Sequence, residues 1–519
     1  MMSSWVCEVC LVPNDDVPSC VCCATPRPRN KDHANLKQDE AAKDYAVGTV
    51  NDASNGQGKD VHTKDKRLRM DFDSSALPHS CLFVVGSSEV DQLPKHICDK
   101  SVNEKDGSTE SLFECSLPTP LVEKGIGAIA HLACGSLHTA VVTRKGRVYT
   151  FGCNDMGALG REENSNVPEC NPYPVRLRRS IKKVSCGDNH TLFLTDGGTV
   201  YFTGAFRDTS GVIGIPDFTD MSSLKNKGHL TTPIDLPLSV SGSTVINDIC
   251  SGENHCLLLP TSGVGIYVMG SNEFGQLMLP KGYEAIVPTE KQPDLSDENL
   301  IKLALTWPQF LVVEQLFTSK RNPTRGVKRR KHGDEYIRRI FTGYCTSFIE
   351  TGISRRIYGA GRNAQGEVGC ESDELCIMQP TELVYFHGIR ISKIVGGQFF
   401  TAALTDDGNL FTWGNCSYIG RSIQNEHDTQ KSPKKLIFFK DNVTELFVGA
   451  DACFAVTKRR QLFAWGSAQN YVLGNGRDYT FQVLPELINS DHFPGYNVIG
   501  GMGGSQHTVF LCNKAKNTT

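Results

Sequence analysis

Val184-Ser-Cys-Gly187-Asp-Asn-His190-Thr191 sets the reading of the whole chain, because the chain repeats it. Leu132-Ala-Cys-Gly135-Ser-Leu-His138-Thr139 has the same form. So do Ile249-Cys-Ser-Gly252-Glu-Asn-His255, Ile394-Val-Gly-Gly397-Gln-Phe-Phe400-Thr401 and Met502-Gly-Gly504-Ser-Gln-His507-Thr508. Shorter copies sit at Ile340-Phe-Thr-Gly343 and Phe447-Val-Gly449. An apolar run follows each copy, as in Thr139-Ala-Val-Val142. The fuller copies add a turn and a second run ending in glycine, such as Gly146-Arg-Val-Tyr-Thr-Phe-Gly152 or Gly408-Asn-Leu-Phe-Thr-Trp-Gly414.

The marker glycines stand at 135, 187, 252, 343, 397, 449 and 504, with gaps of 52, 65, 91, 54, 52 and 55. A period just above 50 with two long gaps describes one unit carrying insertions in two loops. Each unit offers short strands bounded by glycine turns and no amphipathic helix. That composition predicts an all-β, seven-bladed β-propeller over 79–515, one blade per marker. Cys81-Leu-Phe-Val-Val-Gly86 resembles a second run with no marker before it, and Gly504 has no such run after it. The two ends are therefore expected to complete one blade and close the ring, leaving no exposed strand edge.

Composition bounds the function. The 519 residues carry 54 Lys and Arg against 57 Asp and Glu, a formal charge of −3, so the whole molecule is no polycation. No apolar run approaches the length of a membrane span, and Met1-Met2-Ser3-Ser4-Trp5 lacks the form of a secretory signal. The 20 cysteines then read as reduced thiols or metal ligands. Residues 27–78 read as a flexible linker, too poor in large apolar side chains to offset the entropy of ordering. Lys320-Arg321-Asn-Pro-Thr-Arg325-Gly-Val-Lys328-Arg329-Arg330-Lys331, in the longest gap, has the density of cations of a nuclear localisation or phosphate-binding segment. There is no Walker loop, no His-Glu-x-x-His and no nucleophile elbow, and no histidine has a nucleophilic partner at recognisable spacing, so no catalytic residue is assigned.

The repeat resembles that of the regulator of chromosome condensation family over most of the chain. Two segments are especially similar to its founding member, the exchange factor for the small GTPase Ran: Val148-Tyr-Thr-Phe-Gly152-Cys-Asn-Asp-Met-Gly157-Ala-Leu-Gly160-Arg161 and Gly204-Ala-Phe-Arg-Asp-Thr-Ser-Gly211-Val-Ile-Gly214. The resemblance implies that the second is a β-wedge, with Ala205, Phe206, Arg207, Asp208, Thr209, Ser210 and Gly211 meeting Ran. It also places Glu89, His138, Asp188, Asn254 and His507 on the partner face. Asn254 stands where the family has Asp, Glu89 also replaces Asp, and Phe400 replaces His. The recurrent histidine position has a structural reading as well, that of a turn-packing residue.

The N-terminal segment 1–26, Trp5-x-Cys7-x2-Cys10-x3-Asn14 followed by Cys20-x2-Cys23, resembles the zinc finger of nuclear-pore Ran-binding proteins. Two CxxC pairs can supply four thiolates to a tetrahedral Zn²⁺, and Cys22 beside Cys23 offers the same donor. These resemblances imply a nuclear exchange factor for Ran, with no covalent chemistry of its own. Importin would engage Lys320–Lys331, and the basic segments would reach chromatin or DNA. The alternative is a propeller that docks Ran or chromatin without accelerating exchange.

Overall fold

The computed structural model describes residues 80–102, 109–121, 126–161, 167–218, 225–238, 244–285, 298–316, 335–422 and 428–515, with short strands at 5–6, 13–14 and 66–68. Seven four-stranded antiparallel sheets follow the markers. Blade 1 runs from Ile129–Cys134 to Tyr173–Pro174. Blade 2 is Ile181–Cys186, His190–Thr195, Val200–Gly204 and Leu230–Asp235. Blades 3 to 6 begin at Ile246, Ile337, Ile391 and Val443 and end at Val312, Glu382, Lys435 and Leu487. Blade 7 joins the two ends of the propeller. Its sheet order is Tyr496–Gly503, His507–Lys514, Ser80–Ser87 and Glu114–Leu121, with His507 opposite Gly86 and Asn513 opposite Ser80. The expected seven-bladed ring and its closure are both present.

Three features depart from the expectation or extend it. Lys66–Leu68, counted within the linker, pairs with Lys100–Val102, which pairs in turn with Thr109–Ser111. The 91-residue gap adds two helices that the repeat unit lacks, α1 at Glu298–Leu305 and α2 at Val313–Leu316. Trp5–Val6 pairs with Pro13–Asn14, bracketing Cys7 and Cys10 in the sequence. The cysteines of the expected finger and the run Lys320–Lys331 lie outside the described residues.

Strand periodicity explains the core. In an inner strand, successive side chains point to opposite faces, and each face meets a neighbouring blade. In His190–Thr195 all six residues are buried: Leu192 and Leu194 join the blade 2–3 core, while Phe193 joins the blade 1–2 core. Seven apolar clusters fill the seven junctions, the last between blade 7 (Leu82, Val84) and blade 1 (Val141, Phe151). Burying each such side chain contributes about 1.5–3 kcal/mol, so no blade is stable without two neighbours.

The glycine ending the third strand has a specific cause. Gly152, Gly204, Gly270, Gly361, Gly414 and Gly466 all have positive φ, between 98° and 121°, and Gly86 has 130°. A Cβ at Gly204 would lie 2.1 Å from the Asn189 carbonyl oxygen. Only glycine fits where this strand crosses so close to the preceding turn.

The inner strands enclose an axial cavity of about 460 Å³ lined by all seven blades. At its marker end, N–H groups donate to the next blade's carbonyls: Asp188 to Glu253 (2.7 Å), Glu253 to Tyr344 (2.7 Å), Gln398 to Ala450 (2.6 Å) and Ser505 to Ser136 (2.8 Å). At the opposite end, the residues four before the markers form ion pairs between blades, Lys183–Asp248 at 2.6 Å and Lys393–Glu445 at 2.5 Å.

The recurrent histidines belong to the same junctions. His138 Nε2 lies 2.9 Å from Thr191 Oγ1, His255 Nε2 2.9 Å from Ser347 Oγ, and His507 Nε2 2.9 Å from Thr139 Oγ1. Thr191 and Ser347 donate their single hydroxyl protons to the Ala158 and Gln276 carbonyls, so the histidine must donate from Nε2. His138 and His507 are about 1 % and 0 % exposed. The expectation that they meet a partner on the face is therefore corrected: the strand turns them into the blade junction. At the next junction the hydroxyl is replaced by Cys256, and both ring nitrogens of His190 lack a hydrogen-bond partner among the described residues.

Burial pushes His138, His190 and His255 down to about 3, and His507 down to about 4. These groups fold neutral, so their contribution is complete above the unfolded value near 6.5 and is lost as pH falls below it. Half-buried Glu253 and Asp451, raised to about 7 and about 6, act in the opposite sense and offset part of the loss. His190→Phe isolates one histidine, because Phe400 occupies the equivalent position of blade 5, fully buried. The variant is expected to be no less stable than the parent near pH 7.5. Near pH 5.5 it should be more stable by about 1.4 kcal/mol, read by urea unfolding at each pH. Equal acid sensitivity in the two proteins would refute neutral burial of His190.

Candidate functional site

Where the third strand of blade 2 ends at Gly204, the chain leaves the blade as a two-stranded ribbon, Phe206–Asp208 with Gly211–Gly214. This is the segment expected to act as a wedge. Its base is anchored on three sides. Ala205 N–H donates to the Asn189 carbonyl at 2.9 Å. Phe206 is fully buried, its ring 4.7 Å from His190 and 5.2 Å from Phe202. Arg207 N–H donates to Asn254 Oδ1 at 2.9 Å, tying the ribbon to blade 3.

The returning strand is fixed as firmly. Asn226 Nδ2 donates to the Ile213 carbonyl at 2.9 Å, Pro216 bridges to Asn226, and Lys227 pairs with Asp217 at 3.0 Å. Phe218 packs edge-on against Trp307, just beyond α1, with centroids 5.1 Å apart.

Three expected contact residues have a different position. The Asp208 side chain is only about 1 % exposed and meets Lys302 Nζ of α1 at 2.8 Å; Lys302 also reaches Glu298 at 3.1 Å. Phe206 and Ala205 are in the core. These three hold the ribbon from within, whereas Arg207, Thr209, Ser210 and Val212 are exposed. Gly211 has a φ of 126° and open space around the position of a Cβ.

The other expected face residues surround the marker end of the cavity. Asp188 lies in the blade 2 turn beside Asn189, whose Nδ2 donates to it at 2.9 Å. Burial raises the Asp188 carboxyl, and Ser136 and the nearby Arg207 cation counter that rise. Burial and the like charge of Asp188 push Glu253 up to about 7, while Cys345 Sγ donates to it at 3.0 Å. Burial carries Asp451 up to about 6, opposed by Arg362. This mouth is thus a cluster of carboxyls with Arg207 at its edge. Glu89 is exposed on blade 7, and the adjacent Gln92 bonds Gln506 across the blade. Asn254 is buried and acts as an acceptor for the ribbon backbone, a task an Asp there would also perform. Phe400 is interior, stacked on Tyr418 at 6.0 Å, so its departure from the family leaves the face unchanged. Reading the sequence did not find Lys302, Asn226 or Trp307, because none of them sits in a repeat.

The Asp208–Lys302 pair is testable without any partner. Lys302→Ala removes the cation paired with a buried carboxylate, so it should lower stability, and Asp208→Asn in the same chain should remove most of that loss. A double-mutant cycle followed by chemical unfolding is expected to give a coupling of about 1–3 kcal/mol. Additive single effects would show that α1 does not hold the ribbon.

Comparison with known proteins agrees with this architecture. The RCC1-like domain matches residues 81–510. The human regulator of chromosome condensation is 28% identical over 458 residues, covering 87% of this chain and 95% of that protein. The Drosophila melanogaster regulator is 27% identical over 475 residues, covering 90% and 75%. Among solved structures, Prp20p of Saccharomyces cerevisiae superposes with a TM-score of 0.66 at 20% identity, covering 85% of this chain and 93% of that one. Human WBSCR16 gives 0.61 at 18% identity, covering 84% and 100%; both likenesses bear on the fold. The chain belongs to the RCC1-like domain family, that of the regulator of chromosome condensation.

Proposed function

We propose that this protein is a guanine nucleotide exchange factor for Ran. The observation that carries the reading is the ribbon at 205–214: its base is fixed to blades 2 and 3 and to α1, while Arg207, Thr209 and Ser210 are exposed. A loop that merely connects strands has no need of three anchors. Related proteins support the assignment: Prp20p is described by its binding to Gsp1p and histones, and yeast RCC1 (Prp20) with Kap60 bound.

The mechanism needs no covalent step. A GTPase holds its nucleotide through the phosphates. A partner that binds the nucleotide-free form more tightly shifts the equilibrium toward release by no more than that difference in affinity. A preformed ribbon enters the phosphate region without an ordering cost at the moment of binding. Arg207 and the polar tip face the GTPase, Asp208 and Phe206 hold the ribbon's angle, and the carboxyl-rich mouth receives a basic surface and speeds encounter.

The remaining expectations fit a nuclear protein. Cys7, Cys10, Cys20 and Cys23 would supply four thiolates to zinc, and the finger would keep Ran nearby, raising its effective concentration. Lys320–Lys331 would engage importin, and the basic segments would approach chromatin.

Two measurements test the proposal. Catalytic amounts of the protein should accelerate release of a fluorescent GDP analogue from Ran, and Arg207→Ala should slow that release by about tenfold or more. Binding without acceleration would instead establish the docking adaptor, and no binding would place the propeller outside this pathway. Separately, atomic emission should find about one zinc per chain, lost in Cys7→Ser/Cys10→Ser with the propeller's unfolding unchanged. A metal-free parent protein would refute the finger.

A further inference from the structure

Each blade's outermost strand leads into a linker to the next blade, and the linkers can be aligned by one hydrogen bond. Val175, Leu383, Leu436 and Ile488 each donate from N–H to the residue that opens or precedes the third strand, at 2.8–3.0 Å, and each side chain is buried. In blades 3 and 6 the two residues after this anchor are polar and exposed. In blade 6 they are Asn489 and Ser490, and in blade 3 Glu314 and Gln315 follow the corresponding Val313. In blades 1 and 2 the second residue is an apolar side chain turned into the core, Leu177 and Leu238, whereas blades 4 and 5 place exposed apolar pairs there, Val384-Tyr385 and Ile437-Phe438. Their exposures are 65%, 46%, 88% and 41%, the highest being that of Ile437.

The two pairs lie on adjacent blades and are linked through the buried Phe411 and Leu436. Tyr385 lies edge-on to Phe411 of blade 5, centroids 5.7 Å apart; Phe411 pairs with Lys435, and Leu436 leads to Ile437. Phe438 continues onto Phe463 of blade 6 at 5.8 Å. Surrounding loops are basic. Arg390, Lys435, Lys440, Lys458, Arg459 and Arg460 stand against Asp406, Asp407 and Asp441, and Lys458 N–H donates to the Asn442 carbonyl, bringing the blade 6 turn against the linker. The strip is on the face opposite the ribbon. Strands reach the ribbon face at Gly204 and Gly414, whereas these linkers follow the other ends of the same sheets.

We propose that the Val384–Phe438 strip is a docking surface for an acidic protein segment carrying large apolar side chains. Apolar groups this exposed, repeated at matched positions of adjacent blades, call for an apolar partner. Arg459 pairs with Asp441 at 3.0 Å, yet six cations against three carboxylates leave these loops with an excess of positive charge, which selects a partner that is acidic as well. A nucleic-acid backbone would satisfy the cations and leave Ile437 and Val384 in water.

The probe is a phage-displayed random peptide library, selected on the full chain and counter-selected on Val384→Glu/Ile437→Glu. Both positions are exposed, so the variant should fold with unchanged thermal unfolding and GDP-release activity. Enriched peptides are expected to combine several Asp or Glu with Leu, Ile, Phe or Trp. A synthetic copy should bind at least about tenfold more weakly to the variant and lose affinity with salt. No enrichment, enrichment without acids, or binding indifferent to the substitutions would overturn the proposal. So would duplex DNA binding abolished by the same variant, or a self-association that it abolishes, since either would assign the strip to a different occupant.

Discussion

The closure of blade 7 is the constraint on which the rest depends. A blade is a four-stranded sheet buried on both faces, and it has no core of its own. Seven junctions must therefore fill together, and the last can fill only when Ser80–Ser87 adds to His507–Lys514. The register that pairs His507 with Gly86 also sets the His507–Thr139 contact to blade 1. Closure thus turns seven marginal units into one cooperative body.

That body converts a loop into a device. Gly204 must be glycine for the third strand to pass the preceding turn, and the chain then leaves blade 2 in a fixed direction. Phe206 is buried beside His190, and Asn254 of blade 3 accepts from the next N–H. The Asp208–Lys302 pair adds a strut from an insertion that the repeat does not require. Loops carry function when a rigid scaffold positions them, and here the scaffold supplies attachments on three sides.

Much of this was legible in the residues, because glycines with an obligatory backbone conformation mark every unit. The blade number and the shared blade follow from them, and the ribbon at 205–211 from the family resemblance of its segment. What the sequence concealed has physical reasons. The resemblance placed His138 and His507 on the partner face, but an inner strand buries both of its sides, which bears out the turn-packing reading of the recurrent histidine. The resemblance made Asp208 a contact residue, and its counter-ion Lys302 lies in the longest gap, where periodicity gives no guide to it. Asn254 and Phe400 looked like losses against the family, yet one acts as a backbone acceptor and the other fills a junction. The linker was read too long at its end, because three residues of β-structure in a charged stretch carry no pattern.

The central claim is that the ribbon is a rigid extension of the blades rather than a flexible loop. Amide hydrogen exchange of the free protein tests it most directly. The N–H groups of Ala205 and Arg207, bonded to Asn189 and Asn254, should exchange as slowly as those of the blade 2 strands, and Asn254→Ala should release Arg207 while leaving the strands protected. Exchange of both groups at the rate of an unstructured loop in the parent protein would contradict the account.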